Sequence, residues 1–585
     1  MNSTAAAAEG VAAFGWLNHA VFAVMMVAST TLGVLIGVFA KQSTEVDYLL
    51  GGRAMSTLPV AVSLVASHVS SITIMGVPTE VYLYGTQIWM TAAGCILTGL
   101  AIEFVYLPVF YSLQITSTFE YLERRFNRQV RVMGSFLFIL TSVTSLPILV
   151  YIPSLAFSLV SGVHVYIVTV VACSLCMFYT MLGGLKAVVW TDFAQSFVTV
   201  GACVAVLVLG ADTVGGPGQV WKTNSEGGRI EFFNMDPSPF VRNSFWTVTL
   251  GVTVSWICYA GVNQGMVQKF LALPTLRDAR QSLIIFTVGI ILMNSLACFT
   301  GLVVYATFHD CDPIGTKAVY RPDQILPFFV METAANIPCL PGLFMAGIFS
   351  ASFSTLSSNL NSLAGAIFED FVKPAIEGSR CERHGNLILR VLVVALGLAS
   401  LLQVFVVERM GGVLEVVYTL QGVSSGTLVG VFSIGMLYPW ANHKGALWGA
   451  AASLSGVSWI VVGAKVAAAR GSLEYPWLPL STDGCVDLDV AANFTVTPGA
   501  AHRRATTATD TDVFWLYQLS YMYYSVAGAL LVFLVGVPVS HATGGCDPAS
   551  LDPRLLAPFL RRRPQPAPAP HETEMLVVRK RLPSR

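Results

Sequence analysis

Between Leu340 and Phe368 the chain runs 29 residues without a charged side chain, yet its middle is crowded with small polar groups. Ser350, Ser352, Ser354, Thr355, Ser357, Ser358 and Ser362 supply seven hydroxyls, and Asn359 and Asn361 add two amides. Any one such hydroxyl is ordinarily explained by a bond back to the carbonyl four residues earlier, or by close helix packing. Seven in one helix, with Ser354-Thr355 and Ser357-Ser358 adjacent, call for more. Hydroxyl and carbonyl oxygens are what a small hard cation seeks, and polar groups at membrane depth mark ion or substrate paths.

Three further stretches carry chemistry. The run from Pro59 to Thr73 places Ser63, Ser67, His68, Ser70, Ser71 and Thr73 inside an apolar segment, followed by Gly76-Val-Pro78. Small, polar and proline residues there predict a broken helix, whose freed carbonyls can hold a cation and whose half-helix N-terminus can face an anion. His68 is ionisable at mid-depth and can bond a substrate, or be a neutral histidine satisfied by a nearby serine. Asp192 follows a tight Gly183-Gly184 turn and can cap the next helix or complete a cation site with the hydroxyls of the Ser354 helix. Trp256 to Lys269 mixes aromatics, amides and glycines, and Glu103 is an acidic residue in an apolar run.

The elements that must position these residues are membrane helices. Of 585 residues, 54% are hydrophobic and only 11% charged, with net charge zero; mean hydropathy is +0.67. Soluble chains carry about 25% charged residues. An all-α polytopic membrane protein is expected, with nothing that points to nucleic acid. Apolar runs predict thirteen transmembrane helices, near residues 17–40, 56–80, 87–112, 131–160, 166–184, 188–211, 243–268, 281–308, 340–368, 389–408, 413–438, 444–468 and 514–539. The first is read as retained rather than as a cleaved signal peptide. With the N-terminus (1–16) outside, most Lys and Arg fall on cytoplasmic segments, among them Arg124, Arg125, Arg128, Arg131, Lys269 and Arg277. The transporter domain then spans 17–540. The tail 541–585, with Arg561-Arg562-Arg563 and a Pro-rich run, reads as disordered and cytoplasmic. N-x-S/T sequons at Asn2 and Asn493 both fall outside, where glycosylation could reach them. Most of the eleven cysteines sit in apolar runs as packing residues. Cys311 can pair with Cys485 in the outer loops, with Cys339 a competing partner. No zinc pattern, nucleotide-binding glycine loop or nucleophile–base pair is present, so neither an enzyme nor a cofactor is expected.

Five motifs in order resemble the solute:sodium symporter family over residues 45–465. They are Asp47-Tyr-Leu-Leu-Gly-Gly-Arg53, Gly76-Val-Pro-Thr-Glu-Val-Tyr82, Gly183-Gly-Leu-Lys-Ala-Val-Val-Trp-Thr-Asp192, Gly261-Val-Asn-Gln264 with Val267-Gln-Lys269, and Ser354-Thr-Leu-Ser-Ser358 with Glu369-Asp-Phe-Val-Lys-Pro374. Gly85-Thr-Gln87 and Asp236-Pro-Ser-Pro-Phe-Val-Arg242 are similar to the multivitamin carriers, and Asp310-Cys-Asp-Pro313 to the monocarboxylate ones. The resemblance implies a LeuT-like fold of two inverted five-helix repeats, about 56–211 and 243–438. It implies a plasma-membrane symporter that imports a small organic anion with sodium: a vitamin such as biotin or pantothenate, or a monocarboxylate. An iodide or other solute symporter is the alternative within the family. A sodium-gated sensor or channel without net uptake is the alternative outside transport.

The resemblance also implies sites. A shared sodium site falls on the carbonyls of Ala66, Val69 and Ala351 and the hydroxyls of Ser354 and Thr355. An additional sodium site falls on Asp192, Ser357 and Ser358, which makes two sodium ions per cycle an expectation. Substrate is placed beside the broken helix, near Ser67, His68, Ser71, Thr73, Trp256 and Tyr259. His68 stands where the vitamin, monocarboxylate and iodide carriers usually show an aromatic residue, and Glu103 replaces a small one.

Overall fold

The computed structural model describes residues 14–39, 44–319, 321–334, 337–378, 380–409, 413–473, 475–485 and 513–561. Among these residues every regular element is a helix. The principal ones are α1 (Trp16–Phe39), α2 (Thr57–His68), α3 (Ser71–Tyr84), α4 (Thr86–Leu113), α5 (Arg128–Ser161), α6 (Val165–Thr213) and α7 (Phe245–Val262). They continue with α8 (Gln264–Leu271), α9 (Leu276–Phe308), α10 (Leu340–Ile367), α11 (Gly385–Arg409), α12 (Val413–Leu437), α13 (His443–Ala469) and α14 (Tyr524–Ala542).

Ten helices among the described residues are long and apolar enough to cross a membrane, or eleven if one bent pair is taken as a single span. Thirteen were expected. The shortfall comes from how three expected spans are built. The broken α2–α3 consists of pieces of 12 and 14 residues, each short of the roughly 20 residues a span needs. α12 itself is 25 residues long, and the count takes in only its stretch Gln421–Leu437. The third is α6, whose 49 residues would reach about 74 Å if straight, more than twice the roughly 30 Å hydrocarbon core. It is divided at Gly184, where φ is +49° and ψ −148°. A β-carbon there would lie 2.6 Å from the Tyr48 carbonyl oxygen, so only glycine fits this turn.

Each half of the molecule opens with a broken helix. In the first, Val69 and Ser70 are extended (φ/ψ −82°/94° and −92°/173°) between α2 and α3. In the second, Asn263 (−58°/132°) separates the wide last turn of α7 from α8, and its side chain accepts from Gly265 N at 2.8 Å. Paired breaks of this kind are where transporters with inverted repeats build their sites.

The hydroxyl-rich α10 lies at the centre. Among its residues only Leu343, Asn359 and Ile367 are not buried. It packs most extensively on α6, and also on α5 and α1. Small residues permit this approach: a β-carbon on Gly347 would sit 3.2 Å from Ala202 Cβ, and one on Gly37 would sit 3.0 Å from the Gly183 backbone. Lipid is as apolar as leucine, so close packing of this sort, rather than burial from water, holds membrane helices together. The same device joins α14 to α12 and α13, where Gly426 meets Gly528 and Gly449 meets Gly536.

The tail expected to be disordered from residue 541 is instead docked through Arg561. Leu555, Leu556 and Ala557 are buried. Ala557 N donates to Met436 O at 3.1 Å, and the Tyr121 hydroxyl donates to Leu555 O at 3.1 Å. Three apolar residues amid the prolines and arginines are enough to anchor this segment. Residues 562–585 lie outside the described residues, as do the sequons at Asn2 and Asn493.

Candidate functional site

The break in α2–α3 is flanked on two sides by oxygen-rich clusters. On the first, α10 presents Ser354 and Thr355 to the last turn of α2. Thr355 Oγ1 donates to Ala351 O at 3.1 Å and to Ser67 O at 3.2 Å, so one hydroxyl ties α10 to the carbonyl just before the break. Ser354 Oγ lies 3.4 Å from Ser67 Oγ. Val69, the extended residue, is buried, as are Ala351, Ser354 and Thr355, and Ala66 is half-buried. Thr355 bonds carbonyls alone, whereas Ser354 also reaches the Asp192 carboxylate, so the two clusters adjoin.

The second cluster is charged. Asp192 sits well inside the second part of α6 and does not cap it. Its Oδ2 accepts from Ser63 Oγ at 2.6 Å, Ser67 Oγ at 3.3 Å and Lys269 Nζ at 3.1 Å. Lys269 also donates to Ser63 Oγ (2.8 Å), Ser67 Oγ (2.5 Å), Ser358 Oγ (2.8 Å) and Ser63 O (3.2 Å). Every member is buried, the lysine 1% exposed and the aspartate 0%. Ser357 makes none of these bonds: its hydroxyl bonds back to Ser354 O at 3.2 Å. The Ser67 hydroxyl lies against Lys269 and Ser358.

The chain as a whole is similar to known proteins. The sodium:solute symporter family model matches residues 48–452. The chain belongs to that family. It is 36% identical to sodium-coupled monocarboxylate transporter 2 of Mus musculus over 92% of this chain and 86% of the relative. It is 35% identical to the human sodium/iodide cotransporter over 93% of this chain and 86% of that protein. In fold it is similar to a solved Na+-coupled sialic acid symporter in a substrate-bound outward-open state, with TM-score 0.75, 22% identity, and 91% of this chain and 99% of the other covered. The molecule is thus a multi-pass, sodium-coupled symporter with a LeuT-like fold, and not an enzyme.

In this symporter the expected substrate residues divide. His68 is enclosed by rings: Trp256 at 4.5 Å, Tyr259 at 4.9 Å and Phe286 at 5.8 Å between centroids, all edge-on. Its Nδ1 is buried and has no hydrogen-bond partner among the described residues. The Tyr259 hydroxyl donates to Ser67 O at 2.7 Å, sharing that carbonyl with Thr355. Ser71 opens α3 with a buried hydroxyl that has no partner among the described residues. Thr73 lines a separate small apolar cavity with Val69, Cys203, Met293 and Phe344.

Charged networks close both ends. At one, Arg242 makes a two-pronged pair with Glu80 (both 3.0 Å) and lies over the Tyr84 ring at 4.1 Å. Nearby, Cys311 and Cys485 are joined as a disulfide. At the other, Asp370 holds Arg131 Nε at 2.9 Å and Ser117 Oγ at 3.2 Å, and also contacts Ser135. Glu103 belongs to this end as well, paired with Arg280 at 2.9 Å.

Lys269 is the residue that the sequence reading passed over. It was counted among the cytoplasmic positive charges, whereas it is buried beside Asp192. Two signals were available: a basic residue in a run of glycines, amides and aromatics, and a mid-membrane carboxylate that required a counter-ion. Among the described residues, no cluster of three or more His, Cys, Asp or Glu is placed to hold a metal ion. A sodium site of hydroxyls and carbonyls is of a different kind.

Proposed function

We propose that this symporter imports a small organic anion across the plasma membrane, with its N-terminus outside and C-terminus inside. Coupling sodium is held between the carbonyls of Ala66, Val69 and Ala351 and the hydroxyls of Ser354 and Thr355. The observation that carries this reading is the Thr355 hydroxyl, bonded at once to Ala351 O and Ser67 O. A cation bridging the same two helices would favour the arrangement in which α2 and α10 are apposed. Rocking one bundle against the other would then pass sodium and substrate inward together.

Two features support an anion. The N-terminus of α3 begins at Ser71 beside the break, and its free N–H groups favour negative charge. His68, with one ring nitrogen unpartnered inside a wall of Trp256, Tyr259 and Phe286, offers a polar contact next to apolar surface. That combination suits a carboxylate on a small organic body. Relatives named as monocarboxylate transporters favour the same class, and the sodium/iodide relative makes an inorganic anion the second reading. The test is an uptake panel in cells expressing the full chain, with labelled short monocarboxylates, biotin, pantothenate and iodide, each with and without sodium. Sodium-dependent accumulation of a carboxylate is expected. Accumulation of iodide alone supports the second reading, and sodium current without accumulation of any solute contradicts both.

A further inference from the structure

The Asp192 cluster has the make-up of a cation site: one carboxylate oxygen, three serine hydroxyls and one backbone carbonyl converge on a single buried point. Five oxygens exceed what a lysine ammonium, with three N–H donors, can satisfy by separate bonds. Such an oxygen shell is typical of a hard metal cation. Here the point is taken by Lys269 Nζ, 2.5–3.2 Å from all five.

Lys269 lies on α8, directly after the break at Asn263, and α8 packs on α10 and α2. One carboxylate and one ammonium already balance, so a sodium ion entering this shell would bring a second positive charge next to the first. The neutral cluster across the break differs at this point, because Ser354, Thr355 and their carbonyl partners enclose no cationic side chain.

We propose that Lys269 is a tethered cation that fills the Asp192 site in place of a second sodium, so that one sodium ion, on the Ser354 side, serves each cycle. The inference rests on the sodium-symport reading above. It assigns Asp192, Ser63, Ser67 and Ser358 to the protein's own ammonium, and it leaves Ser357 out.

The test uses sodium alone as the probe: equilibrium binding of radiolabelled sodium to the purified full-length protein in nanodiscs. Wild type is expected to bind one sodium per chain. Lys269→Met, which removes the ammonium but keeps much of the side chain's length and leaves the Asp192 carboxyl group in place, is expected to bind two. A purely structural role for Lys269 would give no added sodium. The double variant Asp192→Asn/Lys269→Met, which removes both charges and keeps the cluster neutral, is expected to bind one, and it remains informative if the single variant fails to fold. Two sodium ions in wild type, one in a folded Lys269→Met, or none in the folded double variant would each overturn the assignment. No sodium bound by wild type would instead contradict the symport reading itself.

Discussion

The two oxygen clusters beside the break at Val69–Ser70 share a residue, Ser67, yet they are built on opposite plans. On the Thr355 side hydroxyls and carbonyls tie α2 to α10, through Thr355 Oγ1 to Ser67 O at 3.2 Å and Ser354 Oγ to Ser67 Oγ at 3.4 Å. On the Asp192 side a full ion pair is buried, with its lysine 1% exposed. A buried pair gains little over an apolar substitute, but loss of one partner strands a charge at about 3–5 kcal/mol. The contrast teaches that charge on the Asp192 side is paired within the protein, whereas the side proposed for a mobile cation encloses no cationic side chain.

The contrast breaks most readily at Asp192. Asp192→Asn leaves the buried Lys269 ammonium without a carboxylate partner, and a loss of about 3–5 kcal/mol is expected. Surface biotinylation and thermal unfolding in detergent should show most of the protein lost or destabilised. Adding Lys269→Met should recover much of this, and a coupling energy near zero in the double-mutant cycle would show that the pair is not the unit described. A smaller effect is expected at Gly184, which orients the part of α6 that bears Asp192. Alanine there must hold a positive φ and meet the Tyr48 carbonyl, at a cost of about 1–3 kcal/mol in backbone strain before any clash is relieved. Reduced surface expression is the readout, and normal expression would mean that the turn adjusts freely.

A substitution at His68 tests whether coupling and selectivity are separate. His68→Phe keeps the ring packing with Trp256 and Tyr259 but removes the unpartnered nitrogen. Sodium dependence is expected to persist while the preferred solute shifts severalfold in a competition panel. A changed sodium requirement with unchanged selectivity would place His68 with the ion instead. The smallest effect is expected at the end that bears Glu80 and Arg242. Glu80 and Arg242 are 18% and 25% exposed as side chains, and partly solvated pairs are worth about 0–1 kcal/mol. Glu80→Gln should change uptake less than threefold, measured as initial rate.

Much of this architecture was legible in the residues. Ser67 to Ser71 announced the break, Gly183-Gly184 the turn, and the run from Ser350 to Ser362 the buried central helix, because each departs from what a lipid-facing helix requires. Pro78 did not mark the break: it lies inside the continuous α3. What stayed hidden was long-range pairing. That Lys269 meets Asp192, 77 positions away, depends on how α8 turns after Asn263, and nothing local in either segment states it. The same holds for the docked Leu555–Ala557, whose partners Tyr121 and Met436 are over a hundred residues distant.

The central claim is that the neutral side of the break holds the coupling sodium. Its most direct test is sodium-driven uptake by purified protein in liposomes, comparing wild type with Ser354→Ala/Thr355→Ala at matched incorporation. The account predicts uptake that follows the sodium gradient in wild type and falls to the no-sodium level in the double variant. Gradient-driven uptake at the wild-type rate and the wild-type sodium concentration dependence in that variant would contradict it.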